Sequence, residues 1–276
     1  MLGAAFMVFA NQTVVALVSV LLALATFALL GTLPSIPVIL VQATGTWLVY
    51  IADRGLPFSP EDEGLHRPYP AGMLWWAVLP PAVVGMAALT QLTPSGRWVV
   101  ALLGLLGIGY VFPVLPGRRR IKDLPFAKTV VVATGWSTAC VLLPVVGSGQ
   151  HPQGGAIALF AYRFAYLLPN VLVSDWPDRD EDRRRGIRTV ANSVSAHQMV
   201  GIHVVSSAVA AILAGLFAYA GLLPAWIVLE IPCLLVACVL VSHRLPGRHS
   251  WDRAALDGLV GWPGLVAGAQ LLSHLA

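Results

Sequence analysis

The chain has 276 residues, of which 57% are hydrophobic and 11% are charged, whereas soluble domains carry about 25% charged residues. This composition excludes an ordinary soluble protein and makes the lipid bilayer the main solvent. The net charge of +4 comes from basic residues in the links between apolar segments, where they mark membrane topology, so we expect no nucleic-acid partner. The three cysteines lie in apolar runs and the seven histidines show no metal-binding spacing, which predicts neither a disulfide framework nor a zinc site.

Nine apolar segments have about the 20 residues that a membrane-spanning helix needs. They lie near residues 9–31, 34–53, 72–92, 97–114, 127–147, 155–175, 195–220, 222–242 and 254–275. The first segment lacks the basic start of a cleavable signal peptide, so we expect it to be retained. The sequence therefore predicts an all-α, polytopic membrane helix bundle with a central cavity, a single domain over residues 1–276.

The basic residues predict an orientation for this bundle. They fall in the links after the second, fourth, sixth and eighth segments, and the opposite links hold only Arg97. The positive-inside rule places the four basic links in the cytoplasm. The second link also carries Asp53, an acidic triplet at residues 61–63 and the segment His66-Arg67-Pro68. We expect these links to form one polar mouth over an apolar cavity.

The sixth link carries the densest charge, in the stretch NVLVSDWPDRDEDRRRGIRT at residues 170–189. Asn170, Ser174, Asp178 and Asp182 recur every four residues, and Asp175 lies three and seven residues before the last two. On a helix, these spacings place the side chains on one face. Crowded carboxylates repel one another unless a cation lies among them, and oxygen ligands suit a hard ion such as Mg²⁺. The alternative is a solvated, charged loop between two spans.

Arg163 lies in the middle of the sixth apolar segment. An arginine there costs at least about 2.5–3.5 kcal/mol on insertion scales, so it normally faces a polar interior and has a partner. It is either a cation directed at an anionic substrate or a residue that pairs for packing. We expect Glu230 to be interfacial, and Asp123 and Asp257 to cap helices or form ion pairs.

These features resemble the UbiA superfamily of intramembrane prenyltransferases across nearly the whole chain. The second motif of that family, DxxDxxxD followed by GxxT, corresponds to Asp175, Asp178, Asp182, Gly186 and Thr189. The segment HRPYPAG at residues 66–72 resembles the part that follows the first motif. A tyrosine–proline segment with basic residues after the fourth span is matched by Tyr110, Pro113, Arg119, Arg120 and Lys122.

The first acidic motif departs from the family pattern NxxxDxxxD. Its three positions hold Val49, Asp53 and Pro57, so only the middle aspartate is present. The stretch YIADR resembles instead a subgroup of bacterial members with YxxDR at this point. This departure puts one of two metal sites in doubt.

The resemblance implies Mg²⁺-dependent transfer of an isoprenyl group from a prenyl diphosphate to a lipid-soluble, commonly aromatic acceptor. It implies that Asp175, Asp178 and Asp182 hold one ion and that Asp53 assists a second. Substrate-binding candidates are Arg67, Tyr110, Lys122, Lys128, Arg163, Asn170 and Arg188. Aromatic side chains could stabilise the allylic cation, although packing is the commoner role for Tyr110, Trp136, Tyr162 and Tyr166.

Two alternatives stay open at this point. One is a terpene cyclase of the same superfamily, in which the ionised prenyl chain attacks itself. The other is a lipid-binding member that has lost turnover with the first motif. In each case we expect a multi-pass protein of the bacterial inner membrane, in contact with lipid, whose mouth faces the cytoplasm.

Overall fold

A computed structural model of the chain describes residues 2–55, 71–117, 119–245 and 256–273. Its elements are helices, and each predicted span has a helix at its position. They are α1 (Leu2–Leu29), α2 (Ile36–Gly55), α3 (Ala71–Leu89), α4 (Pro94–Val111), α5 (Ala127–Ser137), α6 (Leu143–Gly147), α7 (Gly154–Ser174), α8 (Arg179–Arg184), α9 (Val190–Ser193), α10 (Ala196–Tyr219), α11 (Ile231–Arg244) and α12 (Trp262–Ser273). Within the described ranges, seven helical segments are long and apolar enough to cross a membrane. The prediction of an all-α, multi-pass membrane bundle is confirmed.

Helix α7 occupies the centre of the bundle. It packs against α5 on one side and α10 on the other, while α1 packs against α2 and α12. Twelve of the 21 residues of α7 are buried, among them Leu159, Tyr162 and Tyr166. Helix α7 thereby fixes the position of the polar residues that follow its last turn.

Helices α5 and α6 form one span that is joined by a π-helical turn, Thr138–Leu142. Pro144 has no N–H to donate to the carbonyl of Cys140, four residues earlier. That carbonyl accepts a hydrogen bond of 2.7 Å from the hydroxyl of Thr26 in α1. A carbonyl without a partner would cost several kcal/mol in a bilayer, so this contact makes the irregular turn acceptable and joins α1 to the α5–α6 span.

The sixth link is not one helix, which corrects the prediction that its polar residues share a helical face. Helix α7 ends at Ser174, residues 175–178 form turns, and α8 begins at Arg179. Pro177 explains the break, because proline cannot donate to the carbonyl of Val173 and disfavours a helical residue before it. Asp175 and Asp178 therefore lie in the turn between the two helices, and Asp182 lies on α8.

Candidate active site

The three aspartates of the sixth link gather around one lysine. The Lys128 ammonium lies 3.0 Å from Asp175 Oδ1, 3.5 Å from Asp182 Oδ2 and 3.8 Å from Asp178 Oδ2. The hydroxyl of Thr129 adds a long hydrogen bond of 3.4 Å to Asp175 Oδ2. Asp175 and Asp182 are buried, so their charges are poorly screened by solvent. We call these three aspartates and Lys128 the acidic cluster.

The backbone brings the two sides of the acidic cluster together. The N–H of Phe126, immediately before α5, donates a 2.9 Å hydrogen bond to the carbonyl of Arg188. Phe126 has a left-handed conformation with φ of 58°, which turns the chain into α5 at this point. The start of α5, with Lys128 in its first turn, is thereby joined to the segment that follows α8.

Gly186 and Thr189 determine the backbone conformation of the segment that follows α8. Gly186 ends α8 with φ of +70°, a conformation that a side chain disfavours. The buried Thr189 caps α9, since its hydroxyl accepts from the N–H of Asn192 while the Asn192 side chain accepts from the Thr189 N–H. Both residues turn the chain back towards the bundle after the aspartates.

A second acid–base pair joins the second and fourth links. Lys122 lies in a short 3₁₀ turn, Ile121–Asp123, and its ammonium is 2.5 Å from Asp53 Oδ1 near the end of α2. It also lies 5.3 Å from the centre of the Tyr110 ring. Asp123 forms an ion pair with Arg120 of 3.1 Å and caps the turn, the kind of role expected from the sequence.

The Asp53–Lys122 pair and the acidic cluster belong to one site, as their electrostatic coupling indicates. Burial is the largest effect on the pKa of Lys122 and lowers it, and repulsion by Lys128 acts in the same direction, while Asp53 opposes it. Burial also raises the pKa of Asp182, against the attraction of Lys128 and of Lys122. The pKa of Asp175 is likewise raised by burial and opposed by Lys128. Two lysines and four aspartates therefore share one polar end of the bundle.

The donor set of the acidic cluster suits a hard cation. Three carboxylates already surround a positive charge, and the buried Asp182 Oδ2, 3.5 Å from the Lys128 ammonium, accepts no hydrogen bond from the described residues. With the Lys128 ammonium between them, however, no three acidic, histidine or cysteine side chains in the described ranges are close enough together to hold a metal. Binding of a divalent ion at this place requires Lys128 to move from the centre of the cluster.

Arg163 is not part of this site, which corrects the prediction that its charge faces an anionic substrate. Its guanidinium is fully buried and makes two hydrogen bonds to Glu230, of 2.5 and 2.9 Å. The hydroxyl of Tyr162 donates to the same carboxylate at 2.8 Å. Glu230 is also fully buried, and it is the partner of Arg163. Opposite charges on α7 and on the turn before α11 neutralise each other here.

Asn170 also lies apart from the acidic cluster. Its side-chain amide donates to Asp257 Oδ1 at 3.2 Å, which directs it towards the C-terminal part of the bundle.

The other predicted residues have the following places. Arg188 has an exposed side chain, and its backbone carbonyl accepts the hydrogen bond from the Phe126 N–H. Tyr166 is buried and contacts Cys233, a packing role. Trp136 makes an edge contact with Tyr50. Arg67, Pro57 and the acidic triplet at 61–63 lie outside the described residues.

Two polar residues of the bundle were not predicted from the sequence as partners of the charged groups, Thr129 in the acidic cluster and Glu230 beside Arg163. Thr129 follows Lys128 directly and reaches Asp175, but no spacing in the sequence marks it. Glu230 had a signal, because it is a lone acid in an apolar segment and Arg163 is a lone base in another. Two such charges of opposite sign in the membrane are candidates for each other.

The fold and the site together define a membrane helix bundle with an aspartate- and lysine-rich polar end. The sequence profile of the UbiA prenyltransferase family matches residues 66–258. The chain therefore belongs to the UbiA prenyltransferase family, which confirms the resemblance. Comparison with curated proteins gives no match.

Solved structures of UbiA homologues have the same fold. The apo structure of a UbiA homologue from Aeropyrum pernix K1 has a TM-score of 0.64 and 14% identity, covering 98% of this chain and 99% of that one. A UbiA homologue from Archaeoglobus fulgidus bound to GPP and Mg²⁺ has a TM-score of 0.60 and 14% identity, covering 95% and 98%. A digeranylgeranylglyceryl phosphate synthase has a TM-score of 0.55 and 14% identity, covering 93% and 91%.

Proposed function

We propose that this chain is an Mg²⁺-dependent intramembrane prenyltransferase that moves an isoprenyl group from a prenyl diphosphate to a lipid-soluble acceptor. The observation that carries the proposal is the meeting of four carboxylates and two lysines at one partly buried polar end. Family membership and the Archaeoglobus fulgidus homologue bound to GPP and Mg²⁺ support it. An anionic diphosphate and a metal ion are the ligands that such a mixed set of charges suits.

The residues divide into two roles in this proposal. Asp175, Asp178 and Asp182 would hold Mg²⁺, and a bound Mg²⁺ would supply neutralisation of the diphosphate charge, which improves the leaving group. The ammonium groups of Lys122 and Lys128 contact phosphate oxygens as point charges and stabilise the negative charge that develops as the C–O bond breaks. Asp53 orients Lys122 through their short ion pair.

Other substrate contacts are proposed from the sequence. Arg67 and Arg188 are further phosphate-binding candidates, since arginine offers two parallel donors to phosphate. Tyr110 lies beside Lys122, with its ring centre 5.3 Å from the ammonium. Its face can stabilise an allylic cation by about 0.5–2 kcal/mol. The apolar spans around this end exclude the water that would otherwise quench that cation.

Release of diphosphate tests the function. The full chain, purified in detergent, is given Mg²⁺ and prenyl diphosphates of several lengths, with and without a hydrophobic aromatic acceptor. Release that requires the acceptor is the expected result. Release without any acceptor identifies a cyclase, and the absence of release at every chain length overturns both enzyme functions in favour of a lipid-binding role.

The orientation is proposed from the distribution of basic residues, which places the acidic cluster on the cytoplasmic side of a bacterial inner membrane. A cysteine introduced at the exposed Arg184 next to the cluster reports on it. A membrane-impermeant thiol reagent is expected to label this cysteine in inverted vesicles and not in intact cells. The reverse result contradicts the orientation.

A further inference from the structure

A small pocket lies between α7, α10, α11 and the helical residues 256–260. Much of its wall is apolar, with Leu234, Ala237 and Leu259 among the lining residues. Its described lining includes no residue of the acidic cluster, so the pocket is a place separate from the candidate active site. It has room for about one or two water molecules, so any group enclosed there is small.

Two polar side chains of this pocket have hydrogen-bonding atoms that the protein does not use. His203 and Ser207 both line the pocket, and their spacing of four residues places them on one face of α10. They are buried, with 1% and 4% of their surface exposed. Within the described ranges, His203 Nε2 and Ser207 Oγ have no hydrogen-bond partner. A buried polar atom without a partner is costly, so two of them at one pocket indicate a ligand.

The hydrogen bond on the other side of the His203 ring defines what this ligand must offer. His203 Nδ1 lies 3.1 Å from the backbone carbonyl oxygen of Pro169. A carbonyl oxygen can only accept, so Nδ1 carries the proton, and in the neutral ring Nε2 is then an acceptor. The ligand therefore has to donate a hydrogen bond to Nε2, while the Ser207 hydroxyl can either donate or accept. A hydroxyl group meets both requirements, whereas a carboxylate or a phosphate dianion has no proton to donate.

The other polar side chains of the lining already have partners. The Tyr166 hydroxyl lies 3.3 Å from Cys233 Sγ, and that thiol donates to the Leu259 carbonyl at 2.9 Å. The Asn170 amide donates to Asp257 Oδ1 at 3.2 Å. The two unused atoms on α10 are therefore the polar atoms with which a ligand gains most.

We propose that this pocket binds one hydroxyl group, which donates a hydrogen bond to His203 Nε2 and pairs with Ser207 Oγ. The hydroxyl belongs either to a water molecule or to a small alcohol or phenol. It satisfies two polar atoms inside the bundle and acts at a place that the proposed prenyl transfer does not use. The site thus adds a second binding function to the C-terminal half of the chain.

Solid-state NMR of the full-length chain in bilayers of deuterated lipid tests the proposal. The seven histidines carry ¹³C and ¹⁵N, and the signal of His203 is the one that disappears in His203→Gln. Magnetisation transfer to the His203 ring from water protons identifies water as the ligand. Transfer from the ring protons of added phenol, with loss of the water signal, identifies an organic hydroxyl. Toluene has a similar ring without the hydroxyl and is expected to give no transfer.

The absence of transfer from both water and phenol overturns the proposal, and so does equal transfer from toluene and phenol. The samples contain no prenyl diphosphate, so the result is independent of the proposed transfer reaction. A chain that shows the hydroxyl site and releases no diphosphate refutes the transferase alone.

Two adjacent serines provide a matched pair of variants. Ser207→Val replaces the hydroxyl with methyl groups at the pocket and should abolish the transfer to His203. Ser206→Val is the control, because the Ser206 hydroxyl donates to the carbonyls of Ile202 and His203 and this residue does not line the pocket. It should leave the transfer unchanged. Where Ser207→Val does not fold, Ser207→Ala removes the same hydroxyl without added volume and should weaken the transfer. Transfer as strong as in wild type in either folded Ser207 variant overturns the role of Ser207.

Discussion

The acidic cluster and the Arg163–Glu230 pair are both charged and buried, but they are built differently. In the pair, one cation meets one anion through two hydrogen bonds, and the Tyr162 hydroxyl occupies a further acceptor position. In the cluster, three carboxylates share one ammonium at distances between 3.0 and 3.8 Å. Within the described part of the chain, the buried Asp182 Oδ2 accepts no hydrogen bond.

The difference distinguishes a structural ion pair from a site prepared for a ligand. A neutral, hydrogen-bonded pair has little to gain from a further ligand, and its removal exposes an uncompensated charge in an apolar setting. Carboxylates that crowd together, as Asp175, Asp178 and Asp182 do, repel one another, so a further cation among them is favourable. Charge balance and hydrogen-bond satisfaction therefore separate the two roles better than burial does, because burial is common to both.

The largest effect is expected at the cluster itself. Asp178→Ala and Asp182→Ala should each reduce diphosphate release to background, since each removes a ligand for the cation that neutralises the leaving group. Release is measured with Mg²⁺ and a prenyl diphosphate. Glu61→Ala, in the acidic triplet of the second link, is the control and should have little effect. Equal activity of Asp182→Ala and wild type would show that the cluster holds no catalytic metal.

The Arg163–Glu230 pair is expected to affect stability and leave metal binding intact. Arg163→Met leaves a buried carboxylate unpaired and should cost about 3–5 kcal/mol of unfolding free energy. The double variant Arg163→Met, Glu230→Leu should recover most of that loss, because neither charge remains. Unfolding is followed in detergent by titration with SDS, and Mn²⁺ affinity is measured in parallel. Recovery in the double variant is decisive, since a substrate-binding arginine would not be rescued by loss of Glu230.

Removal of the Tyr162 hydroxyl is expected to cost less unfolding free energy than removal of the Arg163 charge. Tyr162→Phe keeps the ring and removes one hydrogen bond to the Glu230 carboxylate, which should cost about 1.5–3 kcal/mol of unfolding free energy. Tyr166→Phe is the matched control, because its hydroxyl makes long contacts of 3.3 Å to a thiol and a carbonyl. A larger loss in Tyr166→Phe than in Tyr162→Phe would contradict this division.

The smallest effect is expected at Thr129. Its hydrogen bond to Asp175 is long, at 3.4 Å, and Lys128 holds the same carboxylate more closely. Thr129→Val should lower Mn²⁺ affinity by less than about tenfold, the lower end of losses at residues that orient a ligand. Thr129→Ser should restore it. Loss of binding as complete as in Asp178→Ala would make Thr129 a direct ligand.

The spans could be predicted because a bilayer imposes one requirement, a long apolar run, that is local in the sequence. The cation-binding character of the sixth link could be predicted for a similar reason, since its aspartates are close along the chain. The four-residue repeat misled, because Pro177 ends helical geometry before the repeat is complete. Pro177 stands inside the repeat, and its effect on helical geometry outweighs the four-residue spacing.

Pairings over long distances could not be predicted from spacing. Arg163 and Glu230 are 67 residues apart, and Asp53 and Lys122 are 69 apart. The packing of the whole bundle decides which faces of two helices meet. The periodicity of one segment carries no information about that choice. The lysines were predicted as phosphate contacts, but their ion pairs with the aspartates follow only from the assembled fold.

The hydrogen bond from the Phe126 N–H to the Arg188 carbonyl has a consequence for how this protein can change. The bond joins two segments that are distant in sequence through main-chain atoms alone, so it does not depend on the side chain at position 188. The exposed side chain at this position can therefore be replaced to suit a different partner molecule, while the main-chain hydrogen bond keeps the two segments in place.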